Sequence, residues 1–245
     1  MSALQSPHVF FRRVIFDVTD TQCKVAMEDE HHYFVLTLGH DGKRITSVES
    51  SARRTPWTTC PQAAVRLQEF VGQPLQPRVA VNLADIDSKQ QCTHQYDLLI
   101  LALAQACTPG HREYLAKVVG AMHEFRHAQL WLNDEKLLDW RLRGAHIHSE
   151  DEFDQKDLRN LMSWAEQSLT DQKLEALYVQ RRALMVAASK GVDLDRIKNA
   201  GQVMGARGGA CFVFQPERAE QALRVVGSTR QDVKQPDDLL VKWDA

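Results

Sequence analysis

The clearest structural signal in the chain is the run YFVLTLGHDGKRITSVE, which occupies residues 33–49. Two stretches rich in β-branched and aromatic residues flank its Asp41-Gly42 pair. Because glycine readily adopts the positive φ that a tight turn requires, this pattern predicts a β-hairpin. Residues 8–18 and 24–27 read as two further strands, so the N-terminal part of the chain should form an antiparallel sheet.

Two helices are predicted after this sheet. The first covers residues 61–71, where Pro61 suits the first helical position and Gly72 the end. The second covers residues 94–107 and is apolar on almost all sides. Such a helix is typical of the centre of a core.

The rest of the chain returns to strands and then to helices. This order favours an α+β fold over alternating βαβ units. We therefore expect an N-terminal antiparallel sheet with packed helices, then a second strand pair and a helical C-terminal part. The expected parts are residues 1–110 and 111–245, packed as one unit. The predicted strands cover residues 113–119, 128–132 and 137–147, and the predicted helices cover 154–168, 171–190 and 216–226.

Composition excludes several partner classes. The chain has 245 residues, 30 Lys plus Arg against 32 Asp plus Glu, and a net charge of -2, so nothing attracts it generally to nucleic acid or to an anionic membrane. No apolar run approaches the roughly 18 residues of a membrane span. The 5 cysteines are few and odd in number, which fits a reducing compartment. We expect a cytoplasmic protein with no nucleic-acid or membrane partner.

Two cysteines, Cys60 and Cys92, stand where the predicted helices begin. A helix start presents unpaired backbone N–H groups and the positive end of the helix dipole, which favour the thiolate. The pKa of Cys60 is therefore expected within about 3.5 to 7.5, the range of activated thiols. The competing interpretation is a buried, inert cysteine packed under a helix.

The second cysteine lies in the triplet Cys92-Thr93-His94, with Asp97 in the following turn. Cys60, Cys92 and His94 would supply three ligands of a tetrahedral zinc site, and thiolate with imidazole also suits iron. His94 would serve as ligand or as general acid and base, with Asp97 beside it as a further catalytic candidate. A metal-free thiolate or Cys/His pair and a purely structural role stay open.

The other histidines are expected to be solvated. His31, His32 and His40 lie beside acidic residues or a turn, which predicts surface positions. His146 and His148 would share one face of a strand and could chelate a metal, but the acidic residues that follow them favour a solvated strand end.

The glycine-rich stretch at residues 201–209 contains neither a Walker motif nor Gly-x-Gly-x-x-Gly opening a helix. We interpret it as a mobile loop or lid. No nucleotide cofactor is expected.

The residues around the cysteines resemble a known family. Residues 53–61, RRTPWTTCP, followed by Cys92-Thr93-His94 and a hydrophobic helix, resemble a bacterial domain of unknown function, number 2889, marked by Cys-Pro and then Cys-Thr-His. The likeness covers most of the N-terminal half. It implies family membership without a reaction.

The same half also resembles the NifU-type iron–sulfur scaffold fold. In that family a hairpin leads to a cysteine at a helix start, and a further cysteine opens the next helix. The resemblance implies a metal or thiolate pocket at Cys60, Cys92 and His94. The family carries an acidic residue just after its first cysteine, whereas Pro61 and Gln62 follow Cys60.

These observations predict a small-molecule catabolic enzyme of the lyase, hydratase or hydrolase type. Its pocket would lie where the two cysteine-bearing helix starts meet, with zinc or iron as the candidate metal. The alternative is a non-catalytic metal or iron–sulfur carrier. A binding protein with merely structural cysteines is the third possibility. The expected partner is a small-molecule substrate, and a homodimer stays open.

Overall fold

A computed structural model describes residues 8–79, 86–121, 125–205 and 208–243. The fold is α+β, as expected. Its centre is one antiparallel sheet of eight strands in the order β4-β3-β2-β1-β5-β6-β7-β8. The strands are β1 (Val9–Val18), β2 (Gln22–Asp29), β3 (Tyr33–His40), β4 (Ile45–Arg54), β5 (Gly110–Val119), β6 (Phe125–Leu132), β7 (Glu135–Arg143) and β8 (His146–His148).

The predicted hairpin is formed by β3 and β4, with His40 paired to Ile45. Asp41 Oδ1 accepts hydrogen bonds from the backbone N–H groups of Lys43 at 2.8 Å and Arg44 at 2.7 Å. Gly42 has φ +84°, a conformation that side chains with a Cβ rarely adopt. The hairpin predicted from Asp41-Gly42 is therefore confirmed, including the positive φ of Gly42 in the turn.

The later strands extend the same sheet. β5 pairs antiparallel with β1, from Val9 opposite Val119 to Val18 opposite Gly110. The sheet consequently runs on across residue 110, where the sequence suggested a boundary, and the division into two parts stays a prediction.

The helical elements lie on both faces of the sheet. Their α-helices are α1 (Thr93–Gln105), α2 (Met162–Ser168), α3 (Asp171–Ala187) and α4 (Pro216–Ala219). The short 3-10 segments are Ser88–Gln90, Leu194–Arg196, Ala200–Val203, Phe212–Phe214 and Pro236–Asp238, and a longer one covers Cys60–Phe70. Gly72, with φ +88°, follows that longer segment.

The core lies between the sheet and helices α1 and α3. α1 packs on β2 and β3, and its residues 95–103 are all buried, as its apolar sequence predicted. α3 packs on β5 and β6. Alternate strand residues point the other way and pack against the C-terminal segment, where Leu239, Leu240 and Trp243 are buried. Both faces of the central strands are thereby covered.

Two predicted helices are wrong in extent. Residues 154–168 form a helix only at Met162–Ser168, because the backbone before it bonds to β8 and its neighbours: Gln155 N–H donates to Ile147 O and Leu158 N–H to Ala145 O, at 2.9 and 3.0 Å. The last helix ends at Ala219 instead of continuing to residue 226. Beyond it Arg224 N–H donates to Lys198 O at 3.0 Å. In both segments tertiary backbone bonds replace helical ones.

Within the described part of the chain, no helix combines the length and apolar character needed to cross a lipid bilayer.

Candidate active site

The turn between β2 and β3 is buried and carries an acidic residue and two histidines. Asp29 N–H donates to His32 O at 2.9 Å, closing the turn. Asp29 Oδ1 accepts from the backbone N–H groups of His31 and His32 at 2.8 and 2.9 Å and from His32 Nδ1 at 3.0 Å. The carboxylate thus holds both the turn and the His32 ring.

This burial corrects the prediction that His31, His32 and His40 are solvated. The three residues are 3%, 9% and 4% exposed. The turn is covered by later segments: His31 Nε2 contacts Ser189 Oγ at 3.0 Å, and His31 Nδ1 contacts Thr229 Oγ1 at 3.2 Å. Polar sequence neighbours indicated solvent, but the neighbour Asp29 is instead the buried partner of His32, and residues remote in the sequence are the partners of His31.

Arg12 supplies a buried positive charge next to the turn. It lies on β1 directly opposite Asp29, and its guanidinium donates to Asp29 Oδ2. Burial alone would raise the pKa of the Asp29 carboxyl, but the neighbouring His32 and Arg12 hold it well below the usual value. Asp29 is therefore ionised.

His94 completes a cluster with this turn. It lies in the first turn of α1, and its ring stacks on that of His32 with centroids 3.8 Å apart and planes inclined by 28°. One ligand atom from each of Asp29, His32 and His94 lies within 4.8 Å of the other two. We refer to these residues as the Asp29–His32–His94 cluster.

Both cluster histidines are neutral. Burial lowers the pKa of His32, and burial together with the charge of Arg12 lowers that of His94 well below its ordinary value. The Nε2 atom of His94 is buried and has no hydrogen-bond partner. A neutral imidazole with an unpaired nitrogen can accept a proton or bind a metal.

A second ion pair lies beside the cluster. Asp97, one turn after His94, accepts from Arg182 of α3 through both carboxylate oxygens, with 3.0 Å between Oδ1 and Nη2. Asp97 is 5% exposed. Tyr178 also bonds Asp97, and burial raises the pKa of its phenol well above the ordinary value. The tyrosine is therefore protonated.

A small cavity lies between these groups. It has a volume of about 20 Å³ and is lined by Arg12, His94, Asp97, Tyr178, Arg182 and apolar residues. This is room for about one water molecule. A larger cleft of about 230 Å³ shares Asp97, Tyr178 and Arg182 with the cavity. Those three residues are thus a common wall between the cleft and the cavity.

The cysteines are placed at helix starts but are not activated there. Cys60 begins the long 3-10 segment, Cys92 immediately precedes α1, and both are buried. Burial raises the pKa of Cys60 well above its ordinary value and that of Cys92 to about 12. The expected low pKa of Cys60 is wrong, because desolvation of a thiolate here exceeds the effect of the nearby N–H groups.

A third cysteine accompanies them. A thiolate at Cys211 would raise the pKa values of both Cys60 and Cys92, so Cys211 lies near both residues. Phe212 N–H donates to Gln91 O at 2.8 Å and joins the Cys211 segment to the start of α1. Cys211 lies far from the other two along the chain, so sequence spacing did not indicate it as a site residue.

Residues 16–108 match the family model described as Protein of unknown function (DUF2889). The resemblance to that family is confirmed over this segment, which we call the DUF2889 segment. A comparison with curated proteins found no match. The resemblance to the iron–sulfur scaffold stays a prediction.

The DUF2889 segment contains the Asp29–His32–His94 cluster and Asp97, while Arg12 and Arg182 lie outside it. Of the predicted site residues, the structure joins His94 and Asp97 to the buried turn. The ligand atoms of Cys60, Cys92 and His94 do not all lie within 4.8 Å of one another. The proposed ligand set of Cys60, Cys92 and His94 stays a prediction.

The remaining histidine pair lies at the end of the sheet. His146 is exposed and His148 half-buried, and His146 Nε2 lies 3.7 Å from an Asp157 carboxylate oxygen. This agrees with a solvated strand end.

At the glycine-rich stretch, Ala200–Val203 forms a 3-10 turn, and residues 206–207 lie outside the described residues. The prediction of a mobile loop or lid at residues 201–209 therefore concerns a segment of which only part is described.

Two features of the sequence could have indicated Arg12, Asp29 and His32 as site residues. Arg12 interrupts a strand that is otherwise largely apolar, and a charge in a buried strand requires a partner. Asp29 and His32 lie in a turn between two largely apolar strands. Only the pairing register places that turn beside Arg12.

Proposed function

We propose that this protein is an enzyme that adds water to, or removes it from, a small organic molecule or hydrolyses it, with His94 as the general base. The observation that carries the proposal is the Nε2 atom of His94, which is buried and unpaired in a residue that lines a cavity. Buried polar atoms are nearly always paired, so an unpaired one in a cavity wall is typical of a site that receives a ligand.

The neighbouring residues suit proton transfer. Since Asp29 is an acceptor only, its bond to His32 Nδ1 assigns the proton to that nitrogen and fixes the His32 ring. The lowered pKa of His94 keeps its lone pair free at neutral pH. When His94 takes up a proton, the negative charge of Asp29 favours the resulting cation. Asp29 and His32 thus act as positioning residues for His94.

The cavity supports a reaction that involves water. Its volume of about 20 Å³ accommodates about one water molecule against His94. Arg12 lines the same cavity, and its buried Nε–H group, which has no hydrogen-bond partner among the described residues, can donate to an oxygen that develops negative charge. Hydration, hydrolysis and elimination of water share this requirement for one base and one donor.

In this proposal the cysteines support the site without reacting. Gln95 Nε2 donates to Cys60 O at 3.3 Å, which holds the first turn of α1 and therefore His94. A thiolate at Cys60 or Cys92 would have to overcome the burial that raises both pKa values. The cysteine-dependent version of the enzyme is correspondingly less well supported.

A second candidate is a metal-dependent enzyme. Two neutral imidazoles and a carboxylate with ligand atoms within 4.8 Å are a donor set that zinc and iron accept. However, the lone pairs of imidazole lie in the ring plane, and the two rings, stacked 3.8 Å apart and inclined by 28°, hold these lone pairs in two separate, nearly parallel planes. One ring must therefore turn before both can bind one ion. Arg12 also already neutralises Asp29.

Elemental analysis separates the metal candidates. Stoichiometric zinc or iron that is lost in His32→Ala would support the metal-dependent enzyme. Loss of metal in Cys60→Ser and Cys92→Ser, with His32→Ala unaffected, would support the cysteine ligand set and the carrier alternative. A carrier site should also be accessible to a chelator, whereas the ligand atoms in the structure are buried among helices and sheet.

The proposed reaction is tested with a bacterial metabolite extract in oxygen-labelled water. Wild type should convert at least one small metabolite, with labelled oxygen entering the product or water leaving the substrate. His94→Gln should lower the rate by about a hundredfold or more, the typical contribution of general-base catalysis. His111→Gln changes an exposed histidine at the sheet end and is the matched control. Equal conversion by wild type and His94→Gln would refute the role of His94.

A further inference from the structure

The cleft of about 230 Å³ next to the cavity differs from the cavity in charge and shape. Among the described residues, three cationic side chains line it, Lys89, Arg181 and Arg182, and one carboxylate, that of Asp97. Asp97 is already paired with Arg182. The cleft therefore carries an excess of positive charge although the whole chain is slightly acidic, with a net charge of -2.

Two of these cations have no carboxylate partner among the described residues. Arg181 donates from Nε to Leu158 O at 3.1 Å. This bond positions the side chain and leaves its two terminal nitrogens available to a ligand. Burial and the neighbouring charge of Arg182 lower the pKa of Arg181 without neutralising it, because arginine remains charged in proteins. Lys89 is exposed at the rim. An anion in the cleft would therefore meet two positive groups without displacing an existing ion pair.

Apart from Ser88 and Thr93, the other described residues that line the walls of the cleft are apolar or aromatic. Among them are Met162, Met185 and Tyr178. Methionine side chains are flexible and adapt to ligands of different shape. An inorganic anion would leave these walls unused, whereas an organic acid places its charged end on the cations and its hydrocarbon part against the methionines.

We propose that the cleft binds a small organic carboxylate with an apolar body. Arg181 and Lys89 hold the carboxylate, and Met162 and Met185 contact the hydrocarbon part. The proposal rests on the proposed function only for the reaction of the bound ligand. The ligand lies against Asp97, Tyr178 and Arg182, and these residues form the wall that the cleft shares with the cavity lined by His94. The substrate class of that site is then a carboxylic acid.

The binding test uses benzoate and hexanoate as probes, with benzamide, benzyl alcohol and inorganic phosphate for comparison. Ligand-observed NMR titration of the wild-type chain should show both carboxylates bound and the two neutral analogues at least tenfold weaker. Loss of one charge-assisted hydrogen bond is worth about tenfold or more in Kd, so Arg181→Gln should weaken benzoate by that factor. Raising the salt concentration should weaken it further.

Two further variants protect the test against misfolding. Lys89→Gln removes an exposed charge and should also weaken benzoate, whereas Lys43→Gln, in the β3–β4 turn, should leave it unchanged. Neutral analogues that bind as well as benzoate would overturn the carboxylate assignment. So would phosphate binding as tightly as benzoate, or an affinity unchanged in both Arg181→Gln and Lys89→Gln.

The binding result is independent of the proposed reaction. His94→Gln should bind benzoate like wild type, because His94 lines the cavity and not the cleft. Carboxylates that bind as predicted, without any conversion of metabolites by wild type, would refute the proposed enzyme while supporting the cleft. Conversion of only neutral metabolites, with no carboxylate bound, would refute the cleft while supporting the enzyme.

Discussion

Replacing Asp29 by asparagine should destabilise the protein by about 3 kcal/mol, because it leaves the buried charge of Arg12 without a counter-ion. The two side chains are 3% and 0% exposed, so solvent screens their interaction little. Breaking such a pair from one side costs about 3–5 kcal/mol. We take the lower end, because an asparagine oxygen can still accept from the backbone N–H groups of His31 and His32.

The prediction is measured by thermal unfolding followed by circular dichroism. For a chain of this size 1 kcal/mol corresponds to about 2–4 °C, so Asp29→Asn should lower Tm by roughly 6–12 °C. Adding Arg12→Met removes the unpaired charge, and the double variant should regain about half of the loss. Asp134→Asn, in the exposed turn between β6 and β7, is the matched control and should stay within about 0.5 kcal/mol of wild type.

Two outcomes would refute this reasoning. A Tm for Asp29→Asn within about 2 °C of wild type would mean that Arg12 does not depend on Asp29 for its charge balance. A double variant as unstable as the sum of the two single ones would mean that the residues contribute independently.

Two other predictions concern titration and thiol reactivity. Burial lowers the pKa of His31 from 6.5 to about 4, so the unfolded chain binds the proton first on acidification. The stability from this residue is therefore present above pH 6.5 and lost between pH 6.5 and about 4; Tm measured at several pH values should fall less steeply in His31→Gln, and an unchanged slope would contradict the assignment. A thiol reagent added to native protein should modify Cys107, the exposed cysteine, rapidly and Cys60 and Cys92 slowly, since both are buried. Because Cys211 is half-buried, fast labelling that persists in the double variant Cys107→Ser, Cys211→Ser would show instead that a buried thiol is accessible.

Local sequence patterns predicted the elements whose geometry is local. The Asp41-Gly42 turn specified the β3–β4 hairpin, because its conformation depends on a few adjacent residues. The apolar residues of α1 likewise indicated a central helix. The helices predicted at residues 154–168 and 216–226 are shorter than expected, because part of each segment forms backbone bonds with residues outside it. Helical propensity could not anticipate those partners.

Sequence patterns also predicted the chemistry of the site only in part. Helix starts predicted activated thiols at Cys60 and Cys92, but the pKa of a thiol depends on how completely the fold removes it from water. His94 and Asp97 were identified as candidates from the sequence. Their partners Asp29, Arg12 and Arg182 lie tens of residues away or more along the chain.

By itself, therefore, the sequence determined the α+β class, the hairpins and the buried helix α1, since these follow from side-chain period and turn chemistry. It also placed His94 at the start of that helix. Only the tertiary structure decided that His94 stacks on His32, that Arg12 faces Asp29 on the neighbouring strand, and that burial raises the pKa values of Cys60 and Cys92. The physical reason is that charge pairing and desolvation depend on distances and burial, which residues remote in sequence set only when the sheet and helices pack together.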